Sequence, residues 1–121
     1  MNSRPSTVLV AGATGSIGRH VVAEALRQGY AVRALVRDRA RAARILPDGV
    51  ELVVGDLTRP ETLGPATAGV DAIVFTHGST TRERDVRDTD YAGVANVLKA
   101  LAGRPVRIAL MTAVGVSLIH I

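Results

Sequence analysis

The chain has neither cysteine nor tryptophan. The first absence removes a disulfide framework, a thiolate zinc site and a cysteine nucleophile together, and it suits a reducing cytoplasm, the expected location. Aromatic residues are scarce: Tyr30, Phe75 and Tyr91 are the only three, so flat platforms for stacked bases are missing. Lysine is nearly absent as well, Lys99 being the sole example. Long apolar runs are also lacking. The longest, Ile108 to Ile121, is interrupted by Thr112, Ser117 and His120 and falls short of the ~18 to 20 residues of a membrane span; a buried strand accounts for it better. Met1 to Ser6 is polar and holds no apolar core of a signal peptide, so export is not expected.

What is present fits one globular domain over residues 1–121. The composition is 47% hydrophobic and 21% charged, which disfavours a disordered chain, a collagen or a low-complexity linker. The net charge of +4 invites a nucleic-acid reading. Neither a helix-turn-helix nor a zinc-finger spacing supports it, and the basic residues have another explanation below, so no nucleic-acid partner and no membrane is expected.

Hydrophobic patterning alternates strand and helix. Thr7 to Ala11 is a continuous apolar and β-branched run, as in a central parallel strand covered on both faces. Ser16 to Gln28 places Ile17, Val21, Val22, Ala25 and Leu26 on one helical stripe, and Gly29 stands where a helix end favours a left-handed residue. Ala31 to Val36, Val50 to Val54 and Asp71 to Thr76 read as further strands, and Arg107 to Thr112 as a fifth. Between them, Arg39 to Leu46, Pro60 to about Ala68 and Thr89 to Leu101 read as helices, and His77 to Asp88 as a polar loop. Such alternation predicts an α/β fold, a parallel sheet with right-handed crossovers and helices on both faces. The chain stops a few residues past the fifth strand. That strand is therefore expected to lack its next neighbour and following helix, leaving an exposed edge that truncation from something longer, or a homo-oligomer, would resolve.

The most informative segment is Val8-Leu9-Val10-Ala11-Gly12-Ala13-Thr14-Gly15-Ser16-Ile17-Gly18, where three glycines at spacing three mark the passage from strand to helix. Gly12 permits the tight turn, Gly15 lets the backbone approach a pyrophosphate, and Gly18 brings helix and strand together. The helix N-terminus adds free N–H groups and a partial charge of about half a unit, which suit a diphosphate. A P-loop is excluded, because Lys99 follows Leu98 and not glycine.

On these residues the chain resembles the short-chain dehydrogenase/reductase superfamily, and within it the atypical, NmrA-like group of NAD(P)-binding proteins. Gly12 to Gly18 is similar to that group's nucleotide turn, Val32 to Asp38 to its second strand, and Gly55-Asp56-Leu57 to the segment near the adenine. Asp90 to Leu98 is similar to the helix after strand four, and Arg107 to Thr112 to strand five. The resemblance implies a Rossmann-type sheet of about five strands in the order 3-2-1-4-5, with the C-terminal substrate part absent. It also implies that Gly12, Ala13, Thr14, Gly15, Ser16, Ile17 and Gly18 face the cofactor.

An acid at the end of the second strand would select NAD through the ribose hydroxyls, whereas arginine there accepts a 2′-phosphate. The strand ends in Arg37, with Arg33 before it and Arg39, Arg41 and Arg44 after it. NADP is therefore the expected cofactor and NAD the lesser one, with Arg37 the first phosphate ligand and Arg41 the second. Arg39 and Arg44 read as a solvated helix face. Asp38 leaves the choice open, since its carboxylate turned to the ribose would favour NAD. Asp56 either accepts from the adenine amino group, with Leu57 against the base, or caps its own turn. Thr76, His77 and Gly78 end strand four at the carboxyl edge, where ligands bind open parallel sheets, and Thr112 does so for strand five.

Hydride transfer in the superfamily uses a tyrosine and a lysine four residues later, the ammonium lowering the phenol pKa. Tyr30 is followed at that spacing by Ala34, and Tyr91 by Ala95. Where the family carries a serine or threonine after strand five, Thr112 is followed by Ala113. His20, His77 and His120 have no metal spacing, and Gly115 to Ile119 lacks the closing glycine of a nucleophile elbow. No catalytic residue and no metal ligand is assigned. Two functions remain: the cofactor-binding part of an oxidoreductase acting on a small organic substrate, or a non-catalytic sensor that holds NADP(H) and reports to a protein partner.

Overall fold

The strands pair in parallel through β1 (Thr7–Ala11), β2 (Ala31–Val36), β3 (Val50–Val54), β4 (Ala72–Thr76) and β5 (Arg107–Met111). The computed structural model describes residues 6–76, 95–101, 103, 106–111 and 116–120. The sheet order is β3-β2-β1-β4-β5-β6, so the expected 3-2-1-4-5 arrangement forms, with one strand more. Helices α1 (Ser16–Arg27) and α2 (Arg39–Ile45), a 3₁₀ turn (Pro60–Thr62), the short α3 (Gly64–Thr67) and helical residues 95–101 (α4) complete the described elements.

Strand alternation divides the core in two. Val8 and Val10 of β1 and Val32, Ala34 and Val36 of β2 pack with Val22 of α1 and with Ala42 and Leu46 at α2. Leu9 and Ala11 of β1, Leu35 of β2 and Ile73 and Phe75 of β4 point the other way, against Leu63, Ala66, Val97 and Leu101. Leu9, Leu63, Ile73, Leu101 and Ile108 are at most 2% exposed, and each contributes about 1.5–3 kcal/mol by leaving water. The continuous apolar reading of the first strand follows directly, because both of its faces are covered. Gly29 closes α1 at φ +91°, and its N–H donates to the Leu26 carbonyl at 3.0 Å.

Three features depart from expectation. A single helix from Pro60 to Ala68 is replaced by the 3₁₀ turn and α3, because Pro65 in a helix interior has no N–H to donate and its ring would meet the carbonyl of Glu61. The edge left open on the fifth strand is instead paired, antiparallel, with β6 (Val116–His120), in a register that sets Arg107 opposite His120. Only four residues lie between Met111 and Val116, and an antiparallel neighbour needs no crossover helix. The apolar run from Ile108 thus contributes two strands. Arg33, counted with the arginines after β2, has its guanidinium elsewhere: it donates to Glu51 Oε1 at 2.9 Å and to the carbonyls of Pro65, Ala66 and Ala68 at 3.3, 2.9 and 2.7 Å. It ties α3 to the sheet. The expected polar loop and the start of the helix from Thr89 lie outside the described residues.

Candidate functional site

The glycine turn forms as a tight reversal at the end of β1. Gly15 N–H donates to the Gly12 carbonyl at 3.1 Å, and Gly12 takes φ +82°. A Cβ at Gly12 would lie 2.5 Å from the Thr76 carbonyl oxygen, so the turn sits directly on the end of β4. A Cβ at Gly18 would lie 2.0 Å from the Gly12 carbonyl oxygen and 2.8 Å from Ala13 Cα. Only glycine lets α1 start this close to the strand. Thr76 completes the corner from beneath: its buried hydroxyl lies 3.0 Å from the carbonyls of both Ala11 and Gly12, able to donate to either.

Helix α1 opens from Gly15, in extended conformation and with no side chain to cap it. Its first intrahelical bond runs from Arg19 N–H to the Gly15 carbonyl at 3.0 Å. The N–H groups of Ser16, Ile17 and Gly18 precede that bond and have no acceptor within the helix. The positive end of a 12-residue helix, with three donors that have no partner inside it, therefore begins at Gly15.

Gly15 stands in the wall of a cavity of about 700 Å³, lined by Gly12, Thr14, Gly15, Arg37, Arg41, Asp56, Leu57 and Thr76, with Leu35, Val36 and Phe75 among its other walls. Eight residues expected at the cofactor are thus brought together. Ala13 is buried, and it serves the turn through its backbone. Gly18 is buried behind the turn. Ile17 lines a different hollow. His77, Gly78 and Thr112 lie outside the described residues.

Asp38 caps α2, its Oδ1 accepting from the Arg41 N–H at 3.1 Å. Arg37 and Arg41 are exposed at the cavity mouth, whereas Arg39 and Arg44 are exposed away from it. Across the mouth, Asp56 Oδ1 accepts from the Thr58 N–H at 2.8 Å and from the Thr58 hydroxyl at 2.7 Å, which is the turn-capping alternative. Those two bonds hold its carboxyl below the usual carboxylate range, and Arg37 and Arg59 add to the effect. The group stays ionised at neutral pH and faces arginines. Thr58 was missed from sequence, although an aspartate two residues before a threonine is a turn signal in its own right. The Asp38 cap carried a comparable signal, an acid immediately before a helical run.

A second, larger hollow of about 890 Å³ lies on the α1 face, between that helix and the β4–β5 half of the sheet, with Ile17, Val21, Ala25, Val74 and Ala109 in its wall. It is mainly apolar, and Glu24 and Asp71 stand in its wall with His20 and Arg107, which suits an anion less well than the glycine turn does. No helix among the described residues is long and apolar enough to cross a membrane.

The comparisons with known proteins agree with this geometry. Residues 12–118 match a family of NAD(P)H-binding domains. The photosystem II assembly factor Ycf39 of Trieres chinensis is 40% identical over 97 residues, covering 78% of this chain and 30% of that protein. An isoflavone reductase homolog of Zea mays is 41% identical over 87 residues, covering 65% of this chain and 28% of that protein. Among solved structures, triphenylmethane reductase from Citrobacter sp. superposes with a TM-score of 0.62 at 33% identity, covering 78% of this chain and 32% of that one. The chain thus spans about 30% of the length of the curated relatives it matches. In keeping with its glycine turn, sheet order and cavity, the chain belongs to the NAD(P)H-binding family of Rossmann-type domains, and its structural neighbours include reductases of the atypical short-chain dehydrogenase/reductase group.

Proposed function

We propose that this domain binds NADP(H) across the carboxyl end of its sheet and serves as the cofactor-holding part of an oxidoreductase that moves a hydride to or from a small organic substrate. One observation carries the reading: Gly15, the uncapped start of α1, and two arginines line the same cavity. The amides suit the diphosphate, and the guanidinium of Arg37, with Arg41 beside it, suits a 2′-phosphate. Asp38 supports the preference for NADP. Its Oδ1 is engaged in capping α2, which draws the acid away from a ribose-binding role. Leu57 and the apolar walls of Leu35 and Val36 suit the adenine face. The absence of cysteine is in keeping with work in a reducing compartment such as the cytoplasm.

A bound nicotinamide would supply the hydride. The chain's own part is to hold the dinucleotide and orient it. The assembly-factor relatives support a second reading, a domain that binds NADP(H) and reports to a protein partner without turnover. The two separate on whether the full-length protein consumes NADPH in the presence of carbonyl substrates.

Calorimetric titration of the chain with NADP and with NAD tests the shared part of both readings. The expected result is one site, with NADP bound at least about tenfold more tightly than NAD, as one charge-assisted contact of about 1.5 kcal/mol or more requires. Binding of neither nucleotide overturns the reading; equal binding of both removes the assignment of Arg37.

A further inference from the structure

The stretch that leaves β3 forms one wall of the nucleotide cavity, and it is held from three directions. Gly55 N–H donates to the Val36 carbonyl at 2.9 Å, fastening the wall to the end of β2. Asp56 N–H donates to Thr62 Oγ1 at 2.9 Å. The third bond comes from far along the chain: Asn96 Nδ2, on α4, donates to the Leu57 carbonyl at 2.7 Å. Leu57 and Leu98 both pack against the core cluster on that face, and Asn96 is half-buried between exposed Ala95 and buried Val97. An apolar residue would suit such a position as well for packing alone. An amide does something a leucine cannot, which is to satisfy a carbonyl that has turned inward and thereby fix the height of the residue carrying it.

We infer that Asn96 is a positioning residue for the adenosine end of the bound dinucleotide, acting through the Leu57 carbonyl. The inference rests on the NADP(H) reading above. Asn96 does not line the cavity; Asp56 and Leu57 do. Its bond links the helix after β4 to the wall after β3, so the adenine-facing surface is set by α4 as well as by the glycine turn. The diphosphate site is built from β1, α1 and β4 and does not depend on this bond.

The two halves are separable by fragment binding. The full chain and its Asn96→Leu variant are titrated, by amide chemical shifts, with 2′,5′-ADP and with nicotinamide mononucleotide, and by calorimetry with NADP. Asn96→Leu is expected to weaken 2′,5′-ADP and NADP alike, by about 5- to 30-fold, and to leave nicotinamide mononucleotide within about twofold, since only the adenosine wall shifts. Asn96→Asp has nearly the same shape, loses the donor and sets a negative charge beside the carbonyl; it is expected to weaken 2′,5′-ADP at least as much, and it serves if the leucine variant does not fold. Unchanged 2′,5′-ADP affinity in a folded variant, or equal losses for both fragments, overturns the inference. Failure of the unmutated chain to bind either fragment overturns the NADP(H) reading itself.

Discussion

Replacing Gly18 with alanine is expected to lower NADP affinity by at least about 100-fold. The new Cβ would stand 2.0 Å from the Gly12 carbonyl oxygen and 2.8 Å from Ala13 Cα, well inside the separation any real Cβ keeps. Both neighbours are backbone, so no side chain can swing aside, and helix and turn must part. The N–H groups of the first turn of α1 then move away from the cavity wall at Gly15. Charge-assisted hydrogen bonds are worth about 1.5–3 kcal/mol each, so the loss of two corresponds to about 100-fold or more. Overpacking also destabilises the fold, by about 1–3 kcal/mol, and this has to be separated from the site effect. Gly29→Ala provides the control. Gly29 has φ +91° and open space where a Cβ would go, so that variant bears left-handed strain of about 1–2 kcal/mol at the far end of the same helix. Calorimetry and thermal melts of the two variants are expected to show similar melting temperatures and divergent NADP affinity. Equal affinities would mean that the contact between α1 and the turn does not shape the site.

Arg37→Ala is expected to reduce NADPH affinity about 10- to 100-fold and to leave NADH within about threefold. The two nucleotides share every group except the 2′-phosphate, and a bidentate guanidinium contact to that group vanishes with the side chain. Arg37 is exposed, so its removal leaves no buried partner unsatisfied, and stability should hardly change. Arg41, anchored through its N–H to Asp38, should show the same selectivity with a smaller loss. Titrations of the variants with both reduced nucleotides check the pattern. Parallel losses for NADPH and NADH would transfer the role of Arg37 from the phosphate to the shape of the cavity mouth.

The site was legible in the sequence where its signals are local. Gly12, Gly15 and Gly18 stand where an apolar strand passes into an amphipathic helix, and each is placed by constraints that act within a dozen residues. Gly29 was legible for the same reason. Arg37 and Arg41 were legible because the turn after the second strand and the start of the next helix lie at the carboxyl edge of the sheet, beside the cavity. What escaped depends on partners distant in sequence. Arg33 reads as one more member of a basic cluster; its partners are Glu51 on the neighbouring strand and three carbonyls more than thirty residues away, brought near by the packing of α3 on the sheet. The bond from Asn96 to Leu57 spans 39 residues and has no signature in either segment. The apolar run from Ile108 was ambiguous by nature, since periodicity does not say whether such a run is one strand or a strand that folds back on itself as β5 and β6.

The proposed function depends above all on main-chain N–H groups at the start of α1 holding a dinucleotide diphosphate. Amide chemical-shift mapping during an NADP titration tests it most directly. Saturable shifts are expected, largest at Gly15, Ser16, Ile17 and Gly18, with a second group at Arg37, Asp38 and Leu57. Shifts confined to the apolar hollow around Val21, Val74 and Ala109, or none at saturating nucleotide, would contradict it.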